Sequence, residues 1–151
     1  MPILGTPREF DQKFSFIVEI QGVGRSAWTS CDGLEDEIAV MEHREGGALR
    51  AHKQAGLVSS SDIVLKRGVV QSDRDVYDWF KTVRDGLGSV MTYKRHLTIV
   101  QKDRIGIRVR EWHIDSAFPI KFKGGDWDNT SNDATMEEVT LAHDGSELVT
   151  P

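Results

Sequence analysis

The residues of this chain that could do chemistry are few, and their spacing argues against most of the reactions they serve elsewhere. Histidines stand at His43, His52, His96, His113 and His143 without HxxxH or HExxH spacing, and Cys31 is the sole cysteine. A zinc site is therefore not expected, no disulfide can form within the chain, and Cys31 reads as a packed residue. Gly22-Val23-Gly24 lacks the third glycine and the following helix of a dinucleotide site, no Gly-Lys-Ser/Thr phosphate loop occurs, and Ser59-Ser60-Ser61 lies outside any G-x-S-x-G elbow. Asp126, Asp128, Thr130, Asn132 and Glu137 resemble a calcium loop in placing acids at its first, third and twelfth positions. Ser131 occupies the position where that loop needs glycine, and no helices flank it, so the segment reads as a polar hairpin loop. Adjacent strand residues point to opposite faces, which separates Glu137 from Glu138 and divides Lys94-Arg95-His96. No catalytic, cofactor-binding or metal-ligating residue is assigned, and no cofactor is expected.

The elements that carry these residues are mostly strands. Phe14, Phe16, Val18 and Ile20 alternate with polar residues at the period of two of a half-buried strand, which Gly22-Val23-Gly24 ends. Ser26 to Asp32 is a short mixed stretch closed by Gly33. Ile38 to Met41 is apolar on both faces and reads as a strand sandwiched between two layers. Asp62 to Arg67 alternates again and stops at Gly68. Ser72 to Asp85 is the one helix, with Ser72 as N-cap, Val76, Trp79, Phe80 and Val83 as an apolar stripe, and Gly86 at C′. Thr92 to Val100 and Ile107 to Ala117 form a hairpin, Phe118-Pro119 breaks the run, and Ala134 to His143 is the last strand before Asp144-Gly145 turns into a short tail. The pattern predicts a mainly β domain with one helix.

A chain of 151 residues with 38% hydrophobic residues fits one domain, residues 1–151, with a loose leader over 1–12. A net charge of −5 argues against general nucleic-acid affinity. The charge is unevenly spread: residues 126–151 hold seven acids and no Lys or Arg, whereas Val76 to Gly125 hold ten Lys and Arg against five acids. Such sections can pair within one fold or across copies. The start, MPILGTPREF, lacks the basic and apolar parts of a signal peptide, and no apolar run reaches the roughly 20 residues that cross a bilayer, so synthesis and folding in a cytosol are expected.

Between the strands, Glu42 to Ser61 (EHREGGALRAHKQAGLVSSS) is too polar for a core element and too long for an ordinary turn. It reads as an exposed arm, basic in its middle. Arg44, Glu45, Arg50, His52 and Lys53 are its charged or titratable positions, while Gly46, Gly47 and Gly56 supply its bends.

The order of short motifs resembles the tail tube proteins of contractile phages and of phage-like contractile injection systems, most of all inner tube subunits of the antifeeding-prophage type, within the phage tail tube and type VI Hcp-like superfamily. The motifs are Cys31-Asp32-Gly33-Leu34, Arg44-Glu45-Gly46-Gly47, Leu65-Lys66-Arg67-Gly68, Trp79, Arg110-Glu111-Trp112, Ala117-Phe118-Pro119-Ile120-Lys121 and Glu138-Val139-Thr140-Leu141-Ala142-His143-Asp144-Gly145. Within them, Gly33, Leu34, Leu65, Gly68, Trp79, Trp112, Pro119, Glu138 and Leu141 are the expected core or turn positions. The resemblance implies two packed antiparallel sheets, a β-sandwich or half-barrel with one helix, assembled as a hexameric ring whose strands close a shared β-barrel, with rings stacking into a hollow tube that a contracting sheath drives through a target envelope. It also implies that the arm, through Arg44, Glu45, Arg50, His52 and Lys53, reaches a neighbouring subunit or the next ring. Implied partners are further copies of the chain, a sheath, a baseplate hub or tube initiator, a terminator cap and a cargo in the lumen. The implied location is an extracellular phage tail-like particle or a virion tail. Two other readings stand beside it: a tube-initiating baseplate paralogue, and a small monomeric calcium- or ligand-binding module using the Gly124 to Asp133 loop.

Overall fold

The computed structural model describes residues 15–47, 49–68, 74–86, 93–103, 105–125, 128–130 and 135–150. The expected leader over 1–12 and the Ser72 cap lie outside them. Strand β1 (Ser15–Ile20) turns through Gly22 and Gly24, both at positive φ, into β2 (Gly24–Ala27). The mixed stretch after it divides: Trp28 leaves the β2 edge, is buried, and β3 (Ser30–Asp32) belongs to a different part of the sheet. Gly33 follows at φ 97°, where a Cβ would overlap the Asp62 carbonyl oxygen, so glycine is required. Strands β4 (Asp36–His43) and β5 (His52–Ser60) pair only with each other among the described residues, as a two-stranded sheet. After β6 (Ile63–Gly68) come helix α1 (Asp75–Arg84), β7 (Arg95–Lys102), β8 (Arg108–Lys123), β9 (Met136–Ala142) and β10 (Gly145–Leu148).

The main sheet is antiparallel and eight-stranded in the order β2-β1-β7-β8-β9-β6-β3, with β10 added along β8. Strand β8 organises it. Its first half pairs with β7 and, over Trp112 to Asp115, with β10; from Phe118 onward it pairs with β9. At the change of partner, Arg95 to Leu97 of β7 oppose Ala117 to Ile114, so β8 carries an extra residue there, and Ser116 takes a φ of 51°. Ile120 is extra in the same way between Pro119 and Lys121. Bulges bend a strand and raise its twist, which lets one strand serve two sheet halves. The expected break at Phe118-Pro119 is thereby corrected. Proline lacks a ladder donor but is tolerated beside a bulge, and Pro119 is fully buried within a continuous strand.

Both halves feed one core. Val18 and Ile20 of β1, Leu97 and Ile99 of β7 and Ile114 of β8 meet Ile63 and Leu65 of β6 and Val139 and Leu141 of β9, with Trp28, Val76 and Trp79 completing the cluster. Helix α1 covers one end. Its acids Asp75 and Asp78 lie in the first turn and Lys81 and Arg84 in the last, as the helix dipole favours. It begins at Asp75, with Arg74 as a cap residue that makes no side-chain capping bond, and Gly86, at φ 66°, closes its far end by donating to the Val83 carbonyl. Trp79 is buried, donates to the Tyr93 carbonyl at 2.7 Å and lies under the Arg95 guanidinium. Tyr77 and Phe80 pack on Phe122 of β8.

The carboxyl-terminal tail is corrected from irregular to β10. Four residues carry too little pattern to read as a strand alone, and the β8 edge supplies the order.

Candidate assembly interface

The long polar arm is not irregular. Residues 36–43 and 52–60 form a β-ribbon, and the described residues at its end, 44–47 and 49–51, are loop. Cross-strand partners are Asp36 with Ser60, Ile38 with Val58, Val40 with Ala55, Glu42 with Lys53 and His43 with His52. Between Ile38 and Val40 the β5 strand carries one extra residue, a bulge at Gly56-Leu57. A Cβ on Gly56 would come within 2.8 Å of the Ala39 carbonyl oxygen, so the bulge depends on glycine.

The ribbon is rooted in the main sheet. Ser60 Oγ donates to Asp36 Oδ1 at 2.6 Å, the Ser61 amide donates to the Glu35 carbonyl at 3.0 Å, and His143 Nε2 lies 2.8 Å from the Ser61 carbonyl oxygen. Beyond that root nothing in the described chain covers it. Ile38, Val40 and Met41 are 54–62% exposed, and Leu57 and Val58 are 86% and 65% exposed. Ile38 to Met41, expected between two layers, instead has every position open to solvent. An apolar run is the signature of a strand buried on both faces whether its cover comes from its own chain or from another. An isolated two-stranded ribbon is marginal in water, and an exposed apolar cluster of this kind marks a contact surface.

The expected contact residues all lie on this ribbon. Lys53 faces Glu42 across the strands, His52 faces His43, and Gly56 sits at the bulge. Arg44, Glu45, Gly46 and Arg50 are exposed in the loop, where Gly47 turns the chain at φ 84°. The reading by charge and glycine missed the apolar residues Ile38, Val40, Met41, Leu57 and Val58. Their signal was present in the sequence as two apolar runs, Ile38 to Met41 just before the polar arm and Leu57-Val58 within it.

The other chemistry-bearing residues are held in structural contacts. Glu137 is buried and pairs with Arg67, whose guanidinium stacks 4.5 Å from the Trp28 ring, while neighbouring Glu138 is on the opposite face with Lys66 at 3.9 Å. Lys94 reaches Asp144 at 3.7 Å, so part of the opposed charge noted in the sequence pairs within one fold. The Cys31 thiol is pushed up to about 11 by burial and, second, by Asp32, which leaves it protonated and unreactive at neutral pH. Asp128 takes hydrogen bonds from the Thr130 hydroxyl and amide at 2.7 and 2.9 Å, which hold its pKa below the usual carboxylate value. Among the described residues no cluster of three His, Cys, Asp or Glu could hold a metal ion. A groove of about 580 Å³ runs over β7, β8 and β10, where His96 Nδ1 meets Asp115 at 2.8 Å in the open.

Of the motif positions, Leu65, Trp79, Pro119 and Leu141 are fully buried, Leu34 and Trp112 pack against the core from its margin, and Gly33 and Gly68 stand at strand ends. Glu138 is neither core nor turn but half of the ion pair with Lys66.

Comparison with known proteins places this geometry. Among solved structures, a chain from the sheath/tube terminator of the PVC extracellular contractile injection system in its extended state superposes with a TM-score of 0.80 at 27% identity, over 90% of this chain and 94% of that one. A chain from the sheath-tube complex of the same system gives 0.80 at 25% identity, over 98% and 95%. Hcp1 of Flavobacterium johnsoniae shares the fold alone, with a TM-score of 0.54 at 10% identity over 89% and 94%. No curated protein matches the chain. No helix among the described residues is long and apolar enough to cross a membrane. The model of the T4-like virus tail tube protein gp19 family matches residues 12–147, nearly the whole chain, and the protein belongs to that family.

Proposed function

We propose that this tail tube protein is the repeating inner-tube subunit of a phage-like contractile injection particle. Six copies close a ring by extending their sheets around a lumen, the rings stack, and the finished tube conducts cargo when a sheath contracts around it. The chain is made in a cytosol, acts outside the cell, and has no catalytic role. Its partners are its own copies, a sheath, a baseplate hub and a terminator cap, with no stable nucleic-acid binding. The observation that carries this reading is the β4–β5 ribbon, an apolar surface left open by a chain whose own core is complete. Closure of strands across subunits is the general way in which a sheet loses its exposed edges.

Negative-stain electron microscopy of the purified protein tests the reading. Rings or tubes of uniform diameter are expected, and a strict monomer that also fails to join its sheath and baseplate would overturn it. Bulky residues at Gly46 and Gly47 are expected to block stacking while circular dichroism stays unchanged. The likeness to a chain from a terminator structure favours a second reading, an end component such as a tube-initiating baseplate paralogue. An end component would stop at single rings, whereas a repeating subunit elongates.

A further inference from the structure

The turn joining β7 to β8 combines a fixed backbone with open apolar side chains. Asp103 Oδ1 accepts from the amides of Ile105 and Ile107, both at 2.9 Å, the Asp103 amide donates to the Ile107 carbonyl, and Gly106 turns at φ 88°. The tip is thus held by its own hydrogen bonds. Yet Ile105 is 83% and Ile107 60% exposed, and Val109 is 44% exposed. Val109 is an extra residue of β8, between Arg108 and Arg110, which pair with Lys102 and Gln101, so a bulge sits beside the tip. Val149 donates its amide to the Glu111 carbonyl next to this bulge and is 45% exposed. This second open apolar surface has no counterpart in the contact residues assigned to the ribbon.

Its position relative to the ribbon is informative. The ribbon is rooted near the middle of β8: Ser146, beside the Gly145–Asp115 pair, lies 3.5 Å from Asp36, and the Asp144 amide donates to the Asp115 carbonyl. The tip lies beyond Arg108, the last residue of β8 to pair with β7, at a distance of about 25 Å for strand geometry. Two open apolar surfaces that differ from each other and are separated along one sheet suit a heterologous contact, which generates rings or filaments. Their flanks are opposite in charge. Lys102 and Arg110 border the tip, beside Arg108, which pairs with Glu111 at 3.2 Å, whereas Glu35, Asp36 and Glu37 border the ribbon root.

On the tail tube reading, we infer that the β7–β8 tip, with Val109 and Val149, is the seat for the β4–β5 ribbon of a neighbouring copy. Apolar faces meet at the centre, and the basic border of one copy lies against the acidic root of the next. The occupant is a second copy of this chain, because its ribbon offers the apolar cover and its root an acidic border for Lys102 and Arg110.

Cysteine cross-linking tests the contact on the full chain with Cys31→Ala as background. Val40→Cys protein and Ile107→Cys protein are assembled together and oxidised, with Val40→Cys and Lys81→Cys as the control pair. The expected result is a covalent dimer from the first mixture at more than ten times the yield of the control. Lys102→Glu with Arg110→Glu should raise the concentration needed for assembly at least tenfold, and Glu37→Lys in the same chain should recover part of the loss. Microscopy of the unaltered protein separates the two ideas. If tubes form but the tip pair yields no more dimer than the control, or if Ile107→Asp with Val109→Asp elongates normally, the seat is overturned and the tube reading survives. If the unaltered protein forms no assembly even with sheath and baseplate, both fall.

Discussion

The main sheet and the β4–β5 ribbon both carry apolar runs and differ in whether the described chain covers them. In the sheet, Ile63 and Leu65 are wholly buried by the same chain; in the ribbon, Ile38 and Val40 are more than half exposed. The lesson is that apolar pattern encodes a requirement for burial, not its location. Stability of the free subunit should therefore depend on the sheet, and assembly on the ribbon.

Substitutions can break that division, and the largest effect belongs to the core. Trp79→Ala removes a buried indole, and urea unfolding should register a loss of about 3–5 kcal/mol, with assembly failing as a consequence. Removing one partner of the buried ion pair by Glu137→Gln leaves Arg67 charged in the core, and a loss of about 3 kcal/mol is expected. Arg67→Met with Glu137→Leu should recover most of it; no recovery would mean that the contact under Trp28 does more than pair charges. Gly56→Val should distort the ribbon bulge, abolishing tubes by microscopy while shifting the melting temperature little. Val40→Thr with Val58→Thr lies at the small end, changing subunit stability by less than about 0.5 kcal/mol while weakening assembly. If the ribbon variants unfold the subunit, the division between the two regions is wrong.

Cys31 sharpens the comparison from the side of the sheet. Its thiol, ordinarily near 9, is raised to about 11 in the folded chain, so folding favours the protonated form. That contribution is fully present below pH 9 and is lost as the pH rises through about 11. Thiol-specific labelling at pH 8 should be slow in the native protein and fast in denaturant; equal rates would mean that Cys31 is open.

Much of the fold was legible because one period dominated each element. The alternation of Val18 and Ile20, of Ile63 and Leu65 and of Val139 and Leu141 marks three core strands, and Val76 with Trp79 marks the buried face of α1. The features that escaped depend on partners elsewhere in the chain. Ser116 and Ile120 are bulges only relative to the registers of β7 and β9, and β10 is a strand only because β8 offers an edge. Glu137 appeared as one of two adjacent acids, and nothing local to it announces Arg67, 70 residues away. The arm was legible as an exposed element by its length and polarity, but its register, which brings Ile38 beside Val58, required the pairing itself.

The continuity of β8 has a mechanical consequence. Because a single strand of 16 residues is hydrogen-bonded into both halves of the sheet, a load applied to one half passes to the other along covalent backbone and not across a side-chain seam. Separating the halves along the strand direction would shear the ladders on either side of the bulge, where many hydrogen bonds resist together.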